Sequence, residues 1–488
     1  MTHDLLVIGG GINGAAIARD AAGRGWKVIL VEKDDLASHT SSASTKLIHG
    51  GLRYLEYRAF GLVRKALKER EVMLRAAPHL VRPMRFVMPH RRQVRPYWMI
   101  RAGLLFYDLM AGRTSLQRTR KLGKANPRYK SPLADPQTKG CVYSDCWVDD
   151  SRLVIANARD AADKGAEIVT RDGLENARRT GDGWQATLAS GRTIEARAIV
   201  NAAGPWVCEV LGERLGTGSK AGVRLVRGGH IIVPRLYVGD HAYLLQQPDR
   251  RIVFAMPYER EYTLIGTTDE PVDHPTHSAI DEREIDYLCR SANGYFAIQI
   301  GPADVVSTYA GVRSLYDDGA PESAEVTRDY VLELDEAGAP LLSVFGGKIT
   351  TARALAEEAA DKLGAAAGLG GSAWTKGAAF PGGDLGKEFD AFAEDVRARW
   401  PFLDFDEAER MARAYGSRID RVLGDARTAA DLGEDFGGGL SERELGYLVC
   451  EEWARDAEDV IWRRTKTGLR TSAEQDARIA AWLAERAA

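Results

Sequence analysis

The sequence predicts an α/β protein: a Rossmann-like dinucleotide-binding domain, an inserted and mostly antiparallel β domain, and a helical C-terminal domain. Three observations predict it. A strand, a glycine turn, a helix and a second strand open the chain; short strand-like runs separated by Pro, Gly and Asp fill residues 223–308; and the chain past Pro381 is largely helical.

The opening unit is the most specific of these. The apolar run Asp4-Leu5-Leu6-Val7-Ile8 enters a turn in which Gly9, Gly11 and Gly14 fall in G-x-G-x-x-G register. Those glycines serve a tight turn, close backbone approach to a pyrophosphate, and close helix–strand contact. The Ala-rich helix that follows offers its unpaired N–H groups and positive dipole end to the same pyrophosphate. A second apolar run, Trp26 to Val31, ends in Glu32, eighteen residues after Gly14. An acid there accepts hydrogen bonds from the adenosine ribose and repels a 2′-phosphate. A glycine register alone also fits a plain turn, but strand, helix, second strand and terminal acid together define a dinucleotide site. FAD and NAD both remain open at this point.

Composition bounds the rest. At 488 residues, 45% hydrophobic and 28% charged, the chain is of ordinary globular type with room for two or three domains. A net charge of −3 argues against general nucleic-acid binding, although it conceals local asymmetry. Five cysteines without a C-x-x-C pair read as reduced thiols, not as a disulfide frame, a metal site or a redox pair. No apolar run approaches the roughly 18 residues of a transmembrane helix, and no signal peptide is expected because a strand begins within a few residues of Met1. A membrane would be met from the side.

Taken in order, Lys33 to Thr45 is polar and dense in Ser and Thr, which fits a linker or a ligand loop. The next residues, His49-Gly50-Gly51-Leu52-Arg53-Tyr54, favour the ligand loop, since paired glycines let backbone approach a flat ligand and present Arg and Tyr beside it. Phe60 to Ala77 has helical apolar spacing. From Arg82 to Lys130 thirteen Lys or Arg face one acid, Asp108, and Tyr97 to Tyr107 mixes aromatics, aliphatics and Arg. Three readings fit: a solvated basic face over a core helix, a segment seated among anionic headgroups, or a nucleic-acid site, which lacks any recognised module. A helix over Ser151–Lys164 and a strand over Ala166–Thr170 follow, and the strand Ala196 to Asn201 ends in Ala202-Ala203-Gly204, small residues suited to close passage near the dinucleotide.

Strand-like runs at His230–Val233, Arg251–Met256 and Tyr262–Thr267 suggest a sheet laid over the ligand. The chain is expected to return to the nucleotide domain through Tyr309–Arg313 and Leu342–Thr351, where Gly346-Gly347 precede Lys348 and a helix at Ala352–Leu363. Gly364–Gly371 reads as a linker, and Ser441…Glu444 and Ser472…Gln475 as capping boxes. The expected division is a discontinuous nucleotide domain (1–80, 141–222, 309–365), a basic amphipathic segment (81–140), a substrate-binding β domain (223–308) and a helical domain (372–488).

The run Ser41-Ser42-Ala43-Ser44-Thr45-Lys46-Leu47-Ile48-His49-Gly50-Gly51-Leu52-Arg53-Tyr54-Leu55 resembles the signature of the FAD-dependent glycerol-3-phosphate dehydrogenases, within the wider glycine- and D-amino-acid-oxidase-like flavoprotein group. The resemblance extends to Ala196–Trp206, Gly311-Val312-Arg313, Thr327-Arg328-Asp329-Tyr330, Glu451-Glu452-Trp453 and Ile461–Lys466. It implies FAD as cofactor, which agrees with one dinucleotide motif and no second. The implied cofactor-binding set is Gly9, Gly11, Ile12, Asn13, Gly14, Glu32, Lys33, Ser42, Ser44, Leu47, Gly50, Gly51, Ala203, Gly204, Gly347, Lys348 and Thr350.

The implied reaction is oxidation of sn-glycerol 3-phosphate to dihydroxyacetone phosphate, with hydride passing to FAD N5 and electrons to a membrane quinone. Arg53, Tyr54, His230, Arg313, Arg328 and Lys348 are the implied substrate-binding residues, with His230, Arg313 and Lys348 catalytic. The group that takes the proton stays open: His230 has the suitable ordinary pKa, and His49 is a lesser candidate. His274 and His277 read as loop residues, and no metal site is expected. The implied location is the cytoplasmic side of the inner membrane, peripheral on an anionic lipid surface, with a homodimer left open and no nucleic-acid partner. An oxidase using O2, or an amino-acid oxidase of the same fold, is the rival within the fold. An interaction protein using Arg82–Lys130 is the rival outside it.

Overall fold

The computed structural model describes residues 2–91, 95–123, 127–218, 222–317 and 329–487. Two sheets organise them. The first runs Val331–Asp335, Leu341–Phe345, Thr193–Asn201, His3–Ile8, Val28–Val31, Glu167–Val169, and along this path every pairing but the first is parallel. Parallel strands need helical crossovers and burial on both faces. Helices Ile12–Gly23, Asp150–Asp163 and Ala352–Ala367 cover one face, where Ala15, Ala18, Ala21, Ala158, Ala161, Ala356 and Ala359 let the helix backbones approach closely. On the other face Trp184, from the hairpin Leu174–Thr180/Gly183–Leu188, packs with Leu6, Ile29 and Phe345.

The second sheet has ten strands, all antiparallel except where Ala242–Gln246 lies parallel to Val81–Pro89. It draws on more of the chain than the sequence suggests. Ser307–Asp317 does not return to the nucleotide sheet. All of it pairs with Gly222–Pro234, from Ile232 opposite Ser307 to Gly222 opposite Asp317. Val81–Pro89 and Gly140–Val148, assigned from the sequence to the basic segment and to the nucleotide domain, pair with each other in the middle of this sheet. The physical reason is that apolar alternation identifies a strand but carries no information on its partner. The basic segment is therefore not one unit. Arg82 stacks on Trp147 at 4.5 Å, and Arg85 donates to Ser144 Oγ and to the Gln117 carbonyl. Its helix, Tyr97–Ala111, buries Ile100, Leu104 and Tyr107 against the sheet and exposes Trp98, Leu105, Phe106 and Leu109.

The helical domain has a core of its own, around Val396, Trp400, Met411, Leu445, Leu448 and Ile479. Of the two expected capping boxes, the one at Ser472 is complete, Ser472 and Gln475 exchanging hydrogen bonds; at Ser441 only half forms, its side chain accepting from the Glu444 N–H while the Glu444 carboxylate takes Arg410 and Tyr415 instead. The expected linker is shorter than its composition suggests, because the Ala-rich helix continues to Ala367 before Gly368 closes it in the left-handed region. No helix among the described residues is long and apolar enough to cross a membrane.

Candidate active site

A cleft of about 650 Å³ runs between the carboxyl ends of the parallel strands and the inner face of the second sheet. That is where open α/β sheets bind ligands. At its first end the glycine turn is shaped by contact. Gly9 adopts φ +107°, and a Cβ there would lie 2.6 Å from the Ala202 carbonyl oxygen. A Cβ on Gly14 would lie 1.9 Å from the Gly9 oxygen, so the helix sits directly against the turn. Gly11 faces the cleft, and the Ile12 N–H donates to Ser41 Oγ at 2.9 Å. Glu32 accepts from the Gly10 N–H (2.6 Å) and the Asp34 N–H (2.9 Å); burial raises its pKa against those bonds. The Lys33 ammonium lies 4.0 Å over the Trp206 ring, and His39 packs on the same ring at 4.6 Å.

Of the expected cofactor residues, Gly9, Gly11, Ile12, Asn13, Glu32, Lys33, Ser44, Leu47, Gly51, Ala203, Gly204, Gly347, Lys348 and Thr350 line this cleft. Gly14, Ser42 and Gly50 do not. Gly14 is the helix–strand contact. Ser42 turns away, its hydroxyl donating to the His39 carbonyl, and its neighbour Ser41 takes the cleft position. Gly50 lies behind the wall, where its N–H donates to Tyr107 Oη at 2.7 Å.

The far end collects charge. Lys348 follows Gly346 and Gly347, both at positive φ, and its ammonium sits 4.0 Å over the Tyr54 ring. Arg313 enters from Ser307–Asp317, with Nη1 3.2 Å from Asp269 Oδ1 and Nη2 donating to Thr267 Oγ1 at 3.1 Å. Arg53 Nε is buried without a hydrogen-bond partner among the described residues. Leu244, Ile252 and Phe254 form an apolar wall between these groups. Arg328 lies outside the described residues.

His230 lies on the cleft face of the second sheet, in register with Gly266 and Phe254 and on the same side as Gly311 and Arg313. At 1% exposure it is covered: its ring stacks on Tyr309 at 4.7 Å, and Nε2 lies 3.0 Å from Oγ1 of Thr45, which does line the cleft. Burial, then Arg313 and Lys46, push the His230 pKa well below the ordinary value. Two histidines line the cleft: His39 at the dinucleotide end, and His49 beside Lys348 at the far end. The second is the one near the charged groups. Its pKa is drawn down to about 4, first by burial and then by Lys348 and Arg70, so it is a neutral hydrogen-bond acceptor at pH 7. Thr267 and Asp269 are site residues that sequence reasoning misses. Their signal is their place just past the end of Tyr262–Gly266, and Ser41 was signalled by the hydroxyl-rich loop as a whole.

The elongated cleft, with its glycine turn at one end and Asn13, Gly347 and Lys348 further along, fits a flavin dinucleotide; Asn13 Oδ1 is buried in its wall with no hydrogen-bond partner among the described residues. The fold and site define an FAD-dependent oxidoreductase. Residues 4–353 match the family model described as FAD dependent oxidoreductase, and residues 373–486 match the C-terminal domain of alpha-glycerophosphate oxidase. The chain is 50% identical to a glycerol-3-phosphate dehydrogenase of Pseudomonas aeruginosa, over 99% of its own length and 95% of the relative's. It is 49% identical to a D-erythritol 1-phosphate dehydrogenase of Brucella abortus, over 99% and 97%. A solved glycerol-3-phosphate dehydrogenase from Bacillus halodurans, complexed with FAD, superimposes with a TM-score of 0.76 at 27% identity, covering 99% of this chain and 94% of that one. The chain belongs to the FAD-dependent glycerol-3-phosphate dehydrogenase family.

Proposed function

We propose that the chain oxidises sn-glycerol 3-phosphate to dihydroxyacetone phosphate and delivers the electrons to a membrane quinone. The observation that carries the reading is the convergence of Arg53, Arg313 and Lys348 on one end of the cleft, with the neutral imidazole of His49 in the same wall. Arg53 and Arg313 suit a phosphate dianion, because a planar guanidinium donates two parallel hydrogen bonds. The Arg313–Asp269 pair is about one-third exposed on both sides. Such a pair contributes roughly 0–1 kcal/mol, less than the roughly 1.5–3 kcal/mol of a hydrogen bond to a charged group, so phosphate displaces Asp269. Lys348 holds the C2 oxygen as its proton leaves, and an imidazole nitrogen of His49 accepts that proton. FAD, when bound, takes the hydride from C2 at its N5. Leu244, Ile252 and Phe254 keep water from the reacting carbon.

Delivery to quinone is supported by the helix Tyr97–Ala111. Its outer face exposes Trp98 (69%) and Leu109 (71%) with Leu105 and Phe106, and Phe60 packs edge-on to Phe106 at 5.5 Å. An apolar patch beside Arg101 suits the boundary of an anionic lipid surface, the cytoplasmic face of the inner membrane. Self-association as a homodimer is not needed by this reading, nor is nucleic acid or a metal.

Anaerobic addition of glycerol 3-phosphate to the holoprotein tests the reaction. Prompt loss of the flavin band near roughly 450 nm, absent with glycerol or an amino acid, is the expected outcome; a band left intact removes the reading. Admitting a short-chain quinone and, separately, air then distinguishes dehydrogenase from oxidase. The Brucella relative supports a second reading on the same site, a four-carbon polyol phosphate. Faster bleaching by D-erythritol 1-phosphate than by glycerol 3-phosphate would make that the substrate.

A further inference from the structure

One wall of the cleft is a single loop from Glu32 to Lys46, of which Glu32, Lys33, residues 37–41 and residues 43–45 line the cavity. Its outward side chains tie it to the helical domain, which reaches no part of the cleft itself. Asp35, 2% exposed, receives Arg464 through both guanidinium nitrogens, with Nη2 donating to Oδ1 at 2.8 Å, and Arg463 Nε at 2.6 Å. Arg464 is itself buried, and also donates to the Glu452 carbonyl at 2.6 Å. At the loop's other end Lys466 donates to Asp149 (2.5 Å) and Ser151 (2.6 Å). The adjoining Asp150 accepts from Lys46 (2.8 Å) and Ser44 Oγ (2.7 Å). Both cation groups come from the single π-helical turn Asp459–Arg464 and the residues just after it.

The loop needs such a hold. Ala37 and Lys46, neither of them glycine, adopt φ +61° and +57°, in the left-handed region that L residues rarely occupy. Conformations of that kind persist only where the surroundings over-determine them. Among the described residues the cations against Asp35 are Arg463, Arg464 and, at 3.9 Å, Arg171. Of these cations only Arg171 comes from outside the helical domain, and it is also held by Asp456 and Asp459 of that domain.

We propose that the helical C-terminal domain is a clamp on the cofactor loop, and that Arg464 and Lys466 are positioning residues that set how long FAD stays bound. The clamp acts through Asp35 and Asp149 on residues 32–46 and touches neither cofactor nor substrate. It is independent of which polyol phosphate is oxidised.

The test is FAD release from the holoenzyme, followed as the rise in flavin fluorescence after dilution into FAD-free buffer. Arg464→Met and Lys466→Met are each expected to release FAD about tenfold faster or more, the scale of one charge-assisted hydrogen bond. Arg464→Lys, which keeps the charge but not the fork, should fall between them and the unaltered enzyme. The melting deficit of the variants should widen as FAD is added, because the stabilisation conferred by a ligand falls as its affinity falls; a merely structural role would give a deficit that FAD does not change. Release within twofold in both Met variants overturns the proposal, as does a melting deficit that is the same with and without added FAD. Should Arg464→Met fail to fold because it leaves Asp35 unpaired, Asp35→Asn/Arg464→Met removes both charges, and it and Lys466→Met decide on the same criteria.

Discussion

Replacing Arg313 by Ala is expected to weaken glycerol 3-phosphate far more than it disturbs the protein. The side chain is partly exposed and its pair with Asp269 is of surface type, so its loss should change folding stability by no more than about 1 kcal/mol. Its loss from a phosphate complex is another matter. One or two hydrogen bonds to a dianion, at roughly 1.5–3 kcal/mol each, correspond to about a 10- to 150-fold loss at the low end and more at the high end, given tenfold per 1.36 kcal/mol. The substitution also leaves the Asp269 carboxylate facing the phosphate, which adds repulsion. Removing both residues should therefore recover part of the loss, and Arg313→Ala/Asp269→Ala should bind glycerol 3-phosphate more tightly than Arg313→Ala alone, a non-additivity expected of groups in contact. The assay is anaerobic stopped-flow reduction of the flavin across a range of glycerol 3-phosphate concentrations, separating apparent Kd from limiting rate. Bound FAD should be unchanged. A kcat/KM within threefold of the unaltered enzyme, or a double variant no better than the single, would refute the placement of Arg313 on the phosphate.

Gly11→Val should yield apoprotein, because even a Cβ at that position comes within 3.1 Å of Ser41 Oγ and the rest of the side chain enters the dinucleotide cleft; flavin per chain is the measurement, and stoichiometric yellow protein contradicts the site. Trp98→Glu/Leu105→Glu should abolish co-sedimentation with anionic vesicles while leaving flavin reduction intact, and unchanged sedimentation would return that helix to an ordinary surface. Stability should fall between pH 6.5 and 4. Burial holds His49 and His241 near 4 and His79 near 3, so the unfolded chain binds more protons than the folded one in that window; their contribution is complete above about 6.5 and is lost as pH falls. Asp145, raised to about 6 mainly by burial, has the opposite sign and offsets one of them. A melting temperature flat from pH 7 to 5 would contradict this balance.

The parts of the fold that were legible in the sequence are those set by local contacts. The contact of Gly14 on Gly9 and the helix caps at Ser441 and Ser472 depend on residues a few positions apart, and Glu32 is marked by its place directly after the strand Val28–Val31. Sheet membership did not yield to the same reading. Ser307–Asp317 and Gly140–Val148 have strand patterns, but their partners lie far off in sequence, Ser307–Asp317 on Gly222–Pro234 and Gly140–Val148 on Val81–Pro89. The site shows the same division. Arg313 and Lys348 sit beside glycines and line the cleft, whereas His230 sits beside glycines on the same sheet face as Arg313 and Phe254 but is covered. What covers it is the stacking on Tyr309 and the hydrogen bond to Thr45, contacts that exist only once the strands have paired.

The consequence of exchanging His230 for His49 can be measured. Two influences depress His49: burial, the larger, and the positive field of Lys348 and Arg70. The cations that attract the phosphate thus weaken the base that must take the C2 proton. Bound glycerol 3-phosphate carries about two negative charges into that field, which opposes the second influence while leaving the first. The pKa of His49 should therefore be higher in the substrate complex than in the free enzyme, bringing it nearer the working pH, where a general base is most effective. A base works deprotonated, so the limiting rate of flavin reduction, which reports the substrate complex, should begin to decline at a higher pH than the value of about 4 that His49 has in the free enzyme. His49→Asn should lower that limiting rate by roughly 10²–10⁴-fold and remove its acid limb, with FAD retained. An unchanged rate in His49→Asn, with a loss in His230→Asn instead, would restore the proton to the histidine behind Thr45.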